Sequence, residues 1–138
     1  MMLFSRLTGL PVVTSAGAAR IGVLSSLAVD VASGTVTHIR VRGRRLRRRT
    51  VLAWEAVHAV GPDAVVVGPA AAPAAPPPRH DVLGRRVLTE AGDERGTVLD
   101  VVFDPASGRI ATVRTTLGDL PAERLLGLGD HALVVRAG

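Results

Sequence analysis

The 138-residue chain contains no cysteine and no lysine, and aromatic residues make up only 2% of it (Phe4, Trp54 and Phe103). The absence of cysteine excludes disulfides, thiolate catalysis and cysteine-ligated metal or iron–sulfur sites, and it fits a reducing compartment. Because hydrophobic residues nevertheless total 47%, the core must be built from Val, Leu, Ile and Ala. This Val-rich, aliphatic bias favours strands.

The sequence also lacks a long apolar run. Arg6, Gly9 and Pro11 interrupt the apolar opening before it reaches the length of a signal-peptide core, and no later stretch approaches 18 uninterrupted apolar residues. We therefore expect a soluble, cytoplasmic protein with no membrane-spanning segment.

The net charge of +5 comes from 17 arginines, and it is unevenly distributed. Residues 1–79 carry 10 arginines and 3 acidic residues, a net charge of +7, whereas residues 80–138 carry 7 arginines and 9 acidic residues, a net charge of −2. Contact with an anionic partner is therefore expected from the first half.

A Pro/Ala-rich segment, GPAAAPAAPPPRH (68–80), divides the chain nearly in half and holds five of its nine prolines. Such a segment cannot form a helix interior or a strand ladder, and it favours a semi-rigid, polyproline-like spacer. The predicted organisation is a first domain at 1–68, a linker at 69–80 and a second domain at 81–138.

The two halves match each other in sequence. GLPVVTSAGAARIGVL, from Gly9, aligns with GRRVLTEAGDERGTVL, from Gly84, and WEAVHAVGPDAVVV aligns with AERLLGLGDHALVV. Residues shared by both copies indicate what the fold requires, and residues present in one copy indicate where function lies. The identical pairs are Thr14/Thr89, Gly17/Gly92, Arg20/Arg95, Asp30/Asp104, Gly34/Gly108, Arg40/Arg114, Glu55/Glu123 and Gly61/Gly129.

Each copy is composed of short strands joined by turns. VASG and PASG place Gly34 and Gly108 at the left-handed end of a type I turn, so they predict hairpins. AWEAV and PAERLL are typical of a single helical turn. Five or six short strands per copy predict an all-β fold of two tandem small barrels, because closure protects strand edges.

The pattern G..V.T..G...G.V…VD…G.V..I.V, followed by V.AW..V..VG.DAVVV, resembles the PRC-barrel domain, and LGRRVLTEAGDERGTVLDVVFDPASGRIATVRT in the second half resembles it more closely. The family domain occurs in the photosynthetic reaction-centre H subunit, in a ribosome maturation factor and in stand-alone sporulation and archaeal cell-division proteins. The resemblance covers nearly the whole chain, twice. It implies a fold rather than an activity, since no reactive residue belongs to the pattern.

Candidate catalytic and metal-binding residues are few. Glu90, Asp93 and Glu94 cluster in a predicted turn, but the corresponding SAGAA of the first copy contains no acid, which favours a solvated turn over an acid/base pair. The four histidines show no metal-ligand spacing, and no serine or threonine has a nucleophile-elbow context. We expect no catalytic activity, no cofactor, no metal and no small-molecule substrate.

The first copy alone carries an arginine run in RVRGRRLRRRT (40–50), about six residues longer than the same path in the second copy. Strand alternation predicts His38, Arg40 and Arg42 on one outer face leading into the run. The candidate binding residues are Arg40, Arg42, Arg44, Arg45, Arg47, Arg48 and Arg49.

Three interpretations of this run remain open: a solubilising tip, a contact with an acidic protein surface that includes self-association through the acidic second half, and a contact with RNA or DNA phosphate. No aromatic residue interleaves with the arginines, so base stacking is not indicated. We predict a non-catalytic adaptor or assembly protein acting through its barrel surfaces and the arginine-rich loop. The alternative is an RNA- or ribosome-associated maturation factor.

Overall fold

The computed structural model describes residues 1–17, 19–43, 49–68, 73 and 81–138. The chain starts with a two-residue strand, β1 (Met2–Leu3), and a single helical turn, α1 (Phe4–Leu7). The strands of the first half follow as β2 (Pro11–Thr14), β3 (Arg20–Asp30), β4 (Thr35–Arg42), β5 (Arg49–Ala53), β6 (Val57–Val60) and β7 (Val65–Val67). They form one sheet in the order β5-β4-β3-β2-β7-β6.

The second half repeats this arrangement strand for strand. Its strands are β8 (Arg86–Thr89), β9 (Glu94–Phe103), β10 (Ile110–Thr115), β11 (Gly118–Pro121), β12 (Leu125–Leu128) and β13 (Leu133–Val135). The sheet order β11-β10-β9-β8-β13-β12 is that of the first sheet, and β2–β7 and β8–β13 are both parallel pairs among antiparallel ones. A short 3-10 turn follows β5 (Trp54–Ala56) and β11 (Ala122–Arg124).

This architecture confirms the predicted all-β fold of two tandem barrel-like units. The predicted turn chemistry is also confirmed, because Gly34 and Gly108 have φ angles of +67° and +79°, a region in which side chains with a Cβ are strained. Among the described residues no ladder joins the two end strands of either sheet, so each barrel is open there.

Buried side chains from the two halves form a single apolar cluster, although the sequence predicts a thin core in each. Phe4 and Trp54 both pack edge-to-face on Phe103, with ring centroids 5.1 Å and 5.5 Å from it. All three aromatic rings of the chain therefore meet at the boundary between the halves. A unit of short aliphatic strands buries little apolar surface by itself. Because the two units share one core, each buries more apolar surface than it would alone.

The two repeats also exchange backbone hydrogen bonds symmetrically. Val36 N donates to Gly108 O over 2.7 Å, and Ile110 N donates to Gly34 O over 2.8 Å. The repeat alignment pairs Val36 with Ile110 and Gly34 with Gly108. Both bonds are thus the same contact made in opposite directions, so the repeats are related by a pseudo-two-fold axis.

The first few residues of each repeat, which we call its arm, contact the other repeat. β1 pairs with β9 of the second sheet, with Met2 opposite Phe103, and Ser5 N donates to Asp100 Oδ1 over 3.1 Å. In the reciprocal position, Asp81 and the buried Val82 begin the second repeat and lie beside Ser26 on β3 of the first sheet. Because the arm of each repeat packs on the other repeat, the two halves form one packed unit.

Candidate interaction surface

Two arginines lie opposite each other at the end of the β4–β5 ladder where residues 43–48 connect the two strands, and we call this pair the basic corner (Arg42 and Arg49). Arg42 is the last residue of β4 and lies directly opposite Arg49, the first residue of β5, and both are exposed. Within the described part of the chain neither guanidinium has an ion-pair partner. The corner therefore presents two adjacent, unneutralised cations to solvent.

Arg40 has a different setting. Its side chain is only 14% exposed, and its Nη1 donates to Ser26 Oγ over 3.0 Å and to Asp81 Oδ1 over 2.8 Å. His38, Arg40 and Arg42 alternate with the buried Ile39 and Val41, but His38 and Arg40 are half-buried and Arg42 is exposed. Asp81 covers Arg40, which leaves Arg42 as the exposed arginine of this strand.

Four of the candidate arginines lie outside the described residues: Arg44, Arg45, Arg47 and Arg48. In the sequence these four arginines fall between Arg42 and Arg49. The structure therefore describes the two arginines that flank them. The geometry of the candidate surface rests on these two.

The second repeat places acids beside Arg114, where the first repeat places neutral residues beside the equivalent Arg40. Arg114 of β10 lies opposite Asp100 on β9 and Asp119 on β11. Its counterpart Arg40 lies opposite the neutral residues Ser26 and Val51. At the ladder end itself, β10 and β11 pair the uncharged Thr115 with Gly118, so the cationic ladder end is a feature of the first repeat, in agreement with its net charge.

The acidic turn of the second repeat is held by ordinary structural contacts. Glu90 Oε1 accepts a hydrogen bond from Ala137 N over 3.1 Å, and Glu94 forms an ion pair with Arg86 at 3.3 Å. Asp93 and both glutamates are exposed. The described residues contain no group of three His, Asp or Glu side chains positioned to hold a metal ion.

Sequence reasoning missed Asp81 as the partner of Arg40. The two residues are 41 positions apart, and the intervening Pro/Ala-rich linker gives no indication of where the following arm lies. The only available signal is compositional: Asp81 is the first acid after the linker, and its aligned residue in the first copy is Arg6.

Comparison with known proteins identifies the domain. The family model of the PRC-barrel domain matches residues 1–71 and, a second time, residues 78–138. A search of curated proteins finds no match to the chain. No helix within the described ranges is long and apolar enough to cross a membrane. Together the two matches cover nearly the whole sequence, and the chain belongs to the PRC-barrel family as a tandem of two copies.

Proposed function

We propose that this protein is a non-catalytic adaptor whose first repeat binds an acidic protein surface at the basic corner. The observation that carries the proposal is the position of Arg42 directly opposite Arg49. Like charges at directly opposed positions of a ladder are destabilising. A carboxylate placed between them removes this repulsion, and the guanidinium fork binds a carboxylate through two hydrogen bonds.

The choice of a protein partner over nucleic acid rests on the surroundings of the corner. Base recognition by single-strand-binding modules uses aromatic platforms, whereas the three aromatic rings of this chain are all buried at the boundary between the repeats. An acidic partner surface needs only the two guanidinium groups. The partner class includes another copy of this chain, since residues 80–138 carry a net charge of −2.

The absence of catalysis is part of the proposal. In its support, the acids that cluster in sequence, Glu90, Asp93 and Glu94, are all exposed, on the turn before β9 and at its first residue. General acid/base chemistry relies on a carboxyl group placed beside a bound substrate, usually in a water-excluding pocket. The positions of these acids favour a solvated turn that caps the end of the second sheet.

The proposal is tested by affinity capture from the native cell. Wild-type protein is compared with R42S/R49S and with the control R20S/R95S, which removes the same charge from exposed positions shared by both repeats. We expect the wild type and the control to retain the same proteins after nuclease treatment, and R42S/R49S to lose them. Retention by R42S/R49S contradicts the proposal, and capture that disappears with nuclease assigns the surface to nucleic acid.

A further inference from the structure

The pseudo-two-fold axis creates two equivalent clefts between the repeats, and this chain fills only one of them. In the first cleft, Trp54 packs on Gly108: a Cβ atom at residue 108 would lie 3.2 Å from Trp54 Cδ1. Gly108 is accordingly buried. The indole of the first repeat thus occupies the space above the turn glycine of the second.

The second cleft has no such ring. The residue aligned with Trp54 is Ala122, and the glycine aligned with Gly108 is Gly34. Apart from Gly34 and its two chain neighbours, no described residue has an atom within 4 Å of the position that a Cβ atom at Gly34 would take, and Gly34 is only half-buried. The result is an open cleft of about 260 Å³ that is lined mostly by polar groups, with Val31, Ile110, Ala122 and Leu125 as its apolar residues.

The second cleft also differs from the first in charge. Arg109 and Arg136 line it, and their aligned residues in the first repeat are the uncharged Thr35 and Gly68. Both arginines are exposed, and neither guanidinium has an ion-pair partner among the residues that the structure describes. Glu123 is the acid of the cleft, and it is shared with the first repeat as Glu55, so the arginines leave the second cleft with a net positive charge.

We propose that the second cleft binds an aromatic side chain of a partner peptide that also carries carboxylates next to that side chain. The space above Gly34 is equivalent to the space above Gly108 that this chain fills with its own indole, so it has room for an aromatic ring. Arg109 and Arg136 then bind the neighbouring carboxylates through charge-assisted hydrogen bonds. This site is separate from the basic corner and goes beyond the function proposed above.

The proposal is tested by ¹H–¹⁵N NMR titration of the full chain with three peptides. The probe is Ac-Glu-Trp-Glu-NH₂, and the controls are Ac-Gln-Trp-Gln-NH₂, without charge, and Ac-Glu-Ala-Glu-NH₂, without the ring. We expect the probe to shift the amide signals of Gly34, Arg109 and Ala122, and each control to bind at least about fivefold more weakly. No shift of these signals at millimolar probe overturns the proposal.

Two variants connect the signals to the second cleft. A122W introduces the ring that the first repeat already holds at the equivalent position, and we expect it to fold and to abolish probe binding. R109T/R136G introduces the aligned residues of the first repeat, and we expect it to reduce the preference for the acidic over the neutral peptide to below about twofold. Unchanged binding to A122W, or an unchanged preference in R109T/R136G, overturns the proposal, and the second variant decides if the first does not fold.

The same titration separates this site from the basic corner. R42S/R49S leaves the second cleft intact, so we expect this variant to bind the probe with unchanged affinity. Equal loss of probe binding in R42S/R49S and R109T/R136G would indicate non-specific attraction of an acidic peptide to a basic protein, and it would also overturn the proposal.

Discussion

Trp54 of the first repeat lies against Gly108 of the second, so that a Cβ atom at residue 108 would sit 3.2 Å from Trp54 Cδ1 and 3.2 Å from Val36 O. A turn glycine in one repeat therefore also serves as the contact surface for an indole of the other. Local turn geometry and packing between the repeats depend on the same residue. Gly34, at the equivalent turn, has the same conformational role without the contact.

Gly108→Val is expected to destabilise the protein more than Gly34→Val. Both substitutions place a β-branched residue at positive φ, at a cost of about 1 kcal/mol or more. Gly108→Val adds an overlap with Trp54 and Val36 O, for which overpacking costs of about 1–3 kcal/mol are typical. The free energy of unfolding, measured by chemical denaturation, gives both values. Equal losses for the two variants would show that Trp54 does not press on residue 108.

Phe4→Ala is expected to destabilise the second repeat although Phe4 belongs to the arm of the first. Phe4 is 1% exposed and packs on Phe103, so its truncation should cost about 3–5 kcal/mol. Hydrogen exchange should accelerate in β9, where the arm pairs. The control, Leu117→Ala, changes a side chain that is 71% exposed and should shift stability by no more than about 0.5 kcal/mol. Faster exchange confined to the first sheet would contradict the exchanged-arm arrangement.

Cleavage of the linker is expected to leave the two halves associated. A specific protease site inserted between residues 69 and 80 cuts the connection, but the shared core, the β1–β9 pairing and the mutual bonds of Val36 and Ile110 remain. Native mass spectrometry after cleavage should therefore show one complex of both fragments. Separation into two folded fragments under native conditions would show that each half has a sufficient core of its own.

Much of this fold can be predicted from the sequence because the chain contains two copies of one repeat, and each copy can be compared with the other. The repeated turn glycines Gly34 and Gly108, the repeated strand patterns and the repeated helical turn predict two units of the same topology, as the identical sheet orders show. Periodicity and turn chemistry are local properties of a strand or a hairpin. Local properties are the ones that one sequence expresses directly.

The relation between the units is not local, and the sequence does not reveal it. The pairing of Met2 with Phe103 and the ion pair of Arg40 with Asp81 depend on how two folded sheets meet. A strand pattern shows that Arg40 alternates with apolar neighbours, but it does not show that an arm from the other repeat covers this side chain. For the same reason the contrast between Trp54 and Ala122 has a meaning only once the pseudo-two-fold axis is known.

Arg40 and the basic corner are expected to respond differently to substitution. Arg40→Met removes the hydrogen bonds to Ser26 and Asp81 and should lower stability by about 1 kcal/mol, with little effect on partner binding. R42S/R49S removes a like-charge pair and should leave stability unchanged or slightly raised, while partner binding is lost. Thermal unfolding and affinity capture of each variant provide the two readouts. The reverse assignment, with Arg40→Met abolishing capture from a stable protein, would move the binding surface to Arg40.

The most direct test of the basic corner as a docking surface for acidic protein is the association rate constant of a captured partner, measured at several ionic strengths. An exposed charged surface acts mainly on association, so the wild-type rate should fall steeply as salt rises. For R42S/R49S we expect slower association with a much weaker salt dependence, while R20S/R95S stays close to wild type. An association rate in R42S/R49S equal to that of the wild type at every ionic strength would contradict a docking role for the basic corner.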